Sequence, residues 1–537
     1  MIAKPAPGQD TWEREGELQS VEIEIVKERQ ITLPRANRHY EKISPQPFEP
    51  VVPEITYEVR RVDVSTPLLS PVIRPLRLRQ ESVHEYSGGY LNAGYGNYAT
   101  PFFDLFVNTK NDRKKLTGAH AFLHTSGKGP VDGENSANGR YGISLYAKGI
   151  SETVMAGLDL NYENRFTHFY GYPTGMEVDR DTIRQAFNFL SIEGEFGNAT
   201  AGEVDYRLAG RFNYLNDRFA ASETGVDLEL TSGYDLASDK RIQLETTYAL
   251  AGRKDDGVEA RARHLLQLNP SYSFVAGDLK VHLGLNAAYE NDTIDERSLH
   301  LYPDVSMNYP LTRSVLLAGS LSGGYDKITL RTLALENMWI APNISLNHTN
   351  VAFDLTASLQ FLIGGKFKAT GGLSIAGIRN MYFFVNDSTD ASRFKTIYDT
   401  GITKRSDIFG SMEYIQPDIF RLTVRGDLFG YNTDKVAEAW HKPGYRVMTD
   451  VHYNLYKKII LSAGLAMNGD IKALDPATDE AVMLDPAVDI SLKAEYRFSD
   501  RVSVFVMFNN ITSATYPVYF KYPAREFQVK GGFCWSF

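Results

Sequence analysis

From Gly88 onward, apolar and polar residues alternate two by two in one stretch after another. In residues 203–214, Val204, Tyr206, Leu208, Phe212 and Tyr214 alternate with Glu203, Asp205, Arg207, Arg211 and Asn213. The period returns at Val226, Leu228 and Leu230, at Leu279, Val281, Leu283 and Leu285, and at Phe420, Leu422, Val424 and Leu428. It returns again at Val488, Ile490, Leu492 and Tyr496, and at Val502, Val504, Val506 and Phe508. Side chains on a strand point to opposite faces in turn, so each stretch predicts a strand with one greasy and one polar face. Each runs about ten residues or more, the length a tilted strand needs to cross a bilayer. A soluble sheet would imitate one such strand. It would not sustain many long ones joined by tight turns with no helical segment. The last stretch, residues 525–537 (REFQVKGGFCWSF), puts Phe527, Val529, Gly531, Phe533, Trp535 and Phe537 on one face. Gln528, Lys530, Gly532, Cys534 and Ser536 fall on the other, which suits the closing strand of a barrel with lipid outside and water inside.

The turns are asymmetric. Short ones fall at residues 198–200, 237–239, 276–277, 311–312, 364–365, 417–418, 456–458 and 499–500. Longer connections fall at 165–183, 327–349, 379–404, 432–443, 470–484 and 511–524. Short turns on the periplasmic side and long loops outside are the signature of an outer-membrane barrel. Spans then start near 90, 101, 117, 138, 153, 184, 202, 223, 240, 260 and 278. The others start near 299, 313, 350, 366, 405, 419, 444, 458, 485, 501 and 525. The fold class is all-β: a transmembrane antiparallel barrel of about 22 strands over residues 86–537, with both ends periplasmic.

Residues 1–85 form a different region, with prolines at 34, 45, 47, 50, 53, 67, 71 and 75 and many charges. Proline removes backbone donors and favours extended chain, so this is read as an arm without its own core. Its one alternating patch is Val21, Glu22, Ile23, Glu24, Ile25 and Val26. The arm is expected to run inside the barrel over part of residues 34–85, with Arg60, Arg61, Arg77 and Arg79 meeting luminal carboxylates. The start, MIAKPAPGQD, lacks the apolar run of an export signal, which the reading takes as already removed.

Composition fits this picture. Tyr (31) and Phe (29) are abundant while mean hydropathy is only −0.29, as expected when lipid-facing and luminal residues alternate. A net charge of −9 argues against nucleic acid as a partner. The single cysteine, Cys534, excludes an internal disulfide or a thiolate metal cluster.

With the strands placed, the region from Gly88 resembles the barrel of TonB-dependent receptors, most closely the short receptor-like proteins of Bacteroidetes. Residues 337–350, NMWIAPNISLNHTN, resemble the segment that leads from an outer loop into a descending strand. Residues 445–455 with 459–467 resemble the family's late hairpin, and 508–537 its ending. Lys530, Gly532, Trp535 and Phe537 match the terminal signal by which barrel-assembly machinery recognises its clients. The patch Val21 to Val26 is similar to a TonB box, which implies a TonB-like or other periplasmic partner. Family members carry a plug domain of more than a hundred residues before the barrel, and residues 1–85 do not match one.

No metal or catalytic motif stands out in the sequence. The histidines form no HExxH pair, and the acidic loops at 132–138, 386–390 and 475–480 read as solvated turns. Asp489, Lys493, Glu495 and Arg497 alternate in sign on the face assigned to the lumen, and read as its polar wall. The expectation is a non-enzymatic outer-membrane protein without cofactor, set in lipid, that passes or recognises a substrate. The alternative is a non-transporting subunit of an outer-membrane assembly or secretion complex, with a surface lipoprotein as a further candidate partner.

Overall fold

The computed structural model describes residues 88–109, 114–173, 175–200, 202–292 and 298–537. The expectations for residues 1–85, the TonB-box-like patch included, lie outside them. A single antiparallel sheet of 22 strands closes on itself. The first strand, Gly89–Gly96, pairs on one side with Phe102–Asn108 and on the other with the last strand, Gln528–Ser536. The seam continues to the final residue, where Phe537 N–H donates to Gly89 O at 3.0 Å and Gly89 N–H returns the bond at 3.1 Å. A closed barrel leaves no ladder edge unpaired, the condition for a sheet to sit in hydrocarbon.

The alternation sorts as the pattern predicts. Val204, Leu208, Phe212, Leu228, Leu283, Leu285, Leu428, Leu492, Phe533 and Trp535 lie exposed on the outer face. An apolar surface of this extent belongs in lipid. Among the described residues no helix is long and apolar enough to cross a membrane; the strands make the crossing. Turns at the periplasmic end are tight, as at Gly364 and Gly365, whose positive φ of 59° and 67° is the left-handed backbone that glycine adopts without strain.

With one exception, every barrel strand starts within three residues of its expected place. That exception is the hairpin Phe367–Asn386 and Phe394–Gln416, whose second strand was expected to start near 405, after a loop over 379–404. The loop is only 387–393. What interrupts the pattern near 379 is a bulge: the register shifts between Arg379 and Met381, and Asn380 sits at φ 52°. Beyond the bulge Phe383, Phe384 and Val385 are buried in succession. A strand covered on both faces shows no alternation, so the sequence lost it there. Two smaller corrections follow. The turn expected at 311–312 lies two residues later, between Thr312 and Val315. A short helix, Leu330–Glu336, stands in the loop over 327–348, where no helical segment was expected.

Candidate functional site: the covered mouth of the barrel

The polar faces of the strands line the lumen with paired charges. Lys148 and Arg207 both meet Glu195, at 2.9 and 3.3 Å, and Arg211 meets Glu193 at 2.5 Å. On later strands Arg405 meets Asp354 at 3.0 Å and Arg425 meets Asp427 at 2.6 Å. Each half-exposed pair adds little stability. Together they make a hydrated wall of alternating sign.

Above this wall the mouth is filled by the chain's own loops. The loop over 327–348 begins with Thr329, whose hydroxyl accepts from Thr332 N–H at 3.2 Å while Thr332 Oγ1 accepts from Thr329 N–H at 2.7 Å. This reciprocal cap starts the helix Leu330–Glu336. Leu330, Leu333 and Ala334 are buried, and the free N–H groups of Leu330 and Arg331 donate to the buried Glu223 carboxylate at 2.7 and 3.1 Å. Past the helix, Trp339 Nε1 donates to His168 O at 3.0 Å, and Ile340 bridges to Phe394. Asn343 N–H donates to Asp255 at 3.0 Å, and Arg253 donates to Ile344 O.

Three rings show how far these loops reach. Tyr170 follows the fifth barrel strand, Val154–His168. Trp339 lies between the thirteenth and fourteenth, and Tyr522 between the twenty-first and twenty-second. These positions are spread around the whole ring, yet the centroids of Trp339 and Tyr522 are 4.2 Å apart, and Tyr170 lies 4.7 Å from Tyr522 and 5.7 Å from Trp339. Points so far apart on the circumference touch only over the bore. Tyr519, Phe384 and Phe394 extend the cluster, which is the largest buried core of the described residues.

Two neutral histidines pin the loops. His348 Nδ1 faces two donors, Ile328 N–H and Arg263 Nη2, each at 3.1 Å, so its proton sits on Nε2. Burial, and then the Arg263 charge, pull its pKa down to about 4. Arg263 is itself held by Asp292 at 2.7 and 2.5 Å and donates to Ile328 O at 2.7 Å. His441 donates from Nδ1 to Phe384 O at 2.8 Å and accepts at Nε2 from Phe520 N–H at 3.3 Å. Burial lowers its pKa to about 4 as well.

Of the residues singled out in sequence, Lys530 and Gly532 turn to the lumen, Trp535 faces lipid, and Phe537 completes the seam beside Trp535 at 5.0 Å between ring centroids. Lys493 pairs with Glu495 at 3.1 Å, and Asp489 accepts from Tyr516 OH at 3.0 Å. In the acidic loops, Asp387 accepts from Thr389 N–H and Asp475 from Ala477 N–H, the bonds of ordinary turns, while Asp132 accepts from Tyr172 OH of the next outer loop. Among the described residues no cluster has metal-site geometry. Sequence reasoning missed Glu223, Arg253, Arg263 and the helix. The available signals were Thr329 three residues before Thr332, and Trp339, one of four tryptophans, placed in a loop.

No protein-family model matches the chain, and no curated protein matches it in sequence. Solved structures do match in fold. The siderophore receptor PirA from Acinetobacter baumannii is 10% identical, with 85% of this chain and 81% of that one covered at a TM-score of 0.67. The iron transporter FrpB from Neisseria meningitidis is 10% identical over 85% and 82%, at 0.65. The ferric enterobactin receptor PfeA from Pseudomonas aeruginosa is 8% identical over 84% and 80%, at 0.62. The fold is the outer-membrane receptor barrel that the resemblance to TonB-dependent receptors implies.

Proposed function

We propose that this barrel admits or recognises a solute at the outer membrane, with its own loops as the gate. The observation that carries the reading is the meeting of Tyr170, Trp339 and Tyr522 over the bore. An inert anchor has no need of a wide lumen lined with charge and a separately packed lid. Here the lid is joined to the wall by replaceable bonds, such as Glu223 to the Leu330 and Arg331 amides. In this reading the patch Val21 to Val26 is the strand offered to a TonB-like periplasmic partner.

The test is conductance in a planar bilayer. The native protein should show small currents. The double variant Trp339→Ala, Glu223→Gln removes a central ring and weakens a charged cap, contacts of about 2–5 kcal/mol together. It should raise the open current several-fold while the barrel keeps its heat-modifiable mobility. Identical currents in the two proteins would favour the alternative, a sealed subunit of a larger outer-membrane complex.

A further inference from the structure

A second feature lies on the luminal side of the seam, next to the loop that carries Tyr522. A cavity of about 400 Å³ opens between the first three strands and the last three. Its floor is aromatic: Phe102 and Phe505 lie with ring centroids 5.7 Å apart. They rest on glycines. A Cβ on Gly94 would stand 2.5 Å from the Phe102 ring, and one on Gly532 would stand 2.8 Å from Phe505 and 2.9 Å from Phe102. The wall is bare at these two positions, so the rings come close against it, tilted 44° to each other.

The rim is cationic. Arg525, Lys530 and Lys493 line the cavity, and Asp104 is the one carboxylate that does. Asp104 is already engaged by His124 at 2.9 Å, and Lys493 by Glu495 at 3.1 Å. Arg525 donates from Nη2 to Asn138 Oδ1 at 3.1 Å, while its buried Nε has no partner. Lys530 has no carboxylate within ion-pair reach among the described residues. Several other luminal cations are matched by carboxylates, as Arg207, Arg211, Arg405 and Arg425 are. Burial pushes the Arg525 guanidinium below its ordinary value, a sign that its charge lacks compensation. Partly desolvated cations without counterions are costly, and an anion that fits relieves that cost.

We propose that this cavity binds a small organic anion, its carboxylate between Arg525 and Lys530 and its apolar body on Phe102 and Phe505. The volume is within the range of small-ligand sites, and a few convergent charges over an apolar floor is their usual make-up. The binding stands on this geometry. Its place on a path through the barrel rests on the uptake reading above.

The experiment uses the full chain in detergent, with fluorine NMR of 4-fluorobenzoate, the uncharged 4-fluorobenzyl alcohol, and inorganic phosphate as competitor. The acid should bind about tenfold tighter than the alcohol. Arg525→Gln and Lys530→Gln should each weaken it about fivefold or more, with Lys530→Arg restoring it. Lys530 stands in the closing strand, so unboiled electrophoresis checks that each variant is folded. Arg525 lies in a loop and tests the charge even if the Lys530 variants fail to assemble. Equal binding of acid and alcohol, or undiminished binding in folded Arg525→Gln, overturns the proposal. Displacement by phosphate at equal concentration overturns the role of the aromatic floor. Native binding with no gated current removes the uptake reading and leaves the site; gated current with no binding removes the site and leaves the reading.

Discussion

The wall and the mouth of this barrel are built by different rules. In the wall each strand divides two solvents, so Leu208 and Phe212 face lipid while Arg207 and Arg211 face water. Backbone groups are satisfied by neighbouring strands, register after register. In the mouth both sides of the chain are covered by more chain, and outside short pairings such as Ile471–Asp475 with Glu480–Leu484 the ladder is missing. Its amides are met by side chains instead: Leu330 and Arg331 by Glu223, Asn343 by Asp255, Asn347 by Tyr398, Phe520 by His441. A ladder tolerates change in any one side chain. A side-chain bond to an amide does not, because removing it orphans a buried donor.

The largest effect that follows is at the seam. Trp535 pairs with both Val502 and Leu91, and Phe537 exchanges two bonds with Gly89. Deleting residues 535–537 strips these pairs from both neighbours and leaves an open edge in lipid. The expected outcome is loss of membrane insertion altogether, scored by membrane fractionation and by the disappearance of the heat-modifiable band. A truncated protein that inserts and resists detergent would show that the ladder closes without its last residues.

A smaller effect tests the two faces of the wall. Leu492 is exposed on the outer face, whereas the neighbouring Ser491 belongs to the luminal alternation with Lys493 and Glu495. Leu492→Arg places a charge in hydrocarbon and should cost about 2–4 kcal/mol in a folding titration, with Ser491→Arg costing much less. Equal costs would mean that residue 492 does not meet lipid.

This contrast also sets what the sequence revealed. Strand number, starts and faces were legible because lipid and water impose a period of two wherever the chain lies between them. The hairpin above Asn380 was cut short because Phe383, Phe384 and Val385 have left that boundary. The lid was illegible for a related reason. Its core depends on Tyr170, Trp339 and Tyr522 meeting from three parts of the ring, and no local pattern encodes who meets whom. Glu223 and Arg263 read as two more luminal charges until the helix and His348 are seen against them. Lys530 carried one meaning in the sequence, part of an assembly signal, and the fold adds its place on a cationic rim.

The smallest effect separates the two regions by pH. His348 and His441, both in outer loops, accept backbone N–H groups in the neutral form, and burial lowers each pKa to about 4. In opened loops their pKa would return to about 6.5. The open state therefore binds more protons between those values, so the lid's stability is complete above about pH 6.5 and is lost as pH falls toward 4. The ladder bonds of the wall contain no such group and should not respond. Hydrogen exchange at pH 7 and at pH 5 reads the difference: protection at Ile328 and Phe520 should fall, while that of the strand amides stays. The variant His441→Asn should flatten the response at Phe520 but not at Ile328, since each histidine serves its own amide. Protection in the mouth that is the same at both pH values would mean that the lid does not open on protonation, and that these two imidazoles are fixed parts of the wall's rigid frame.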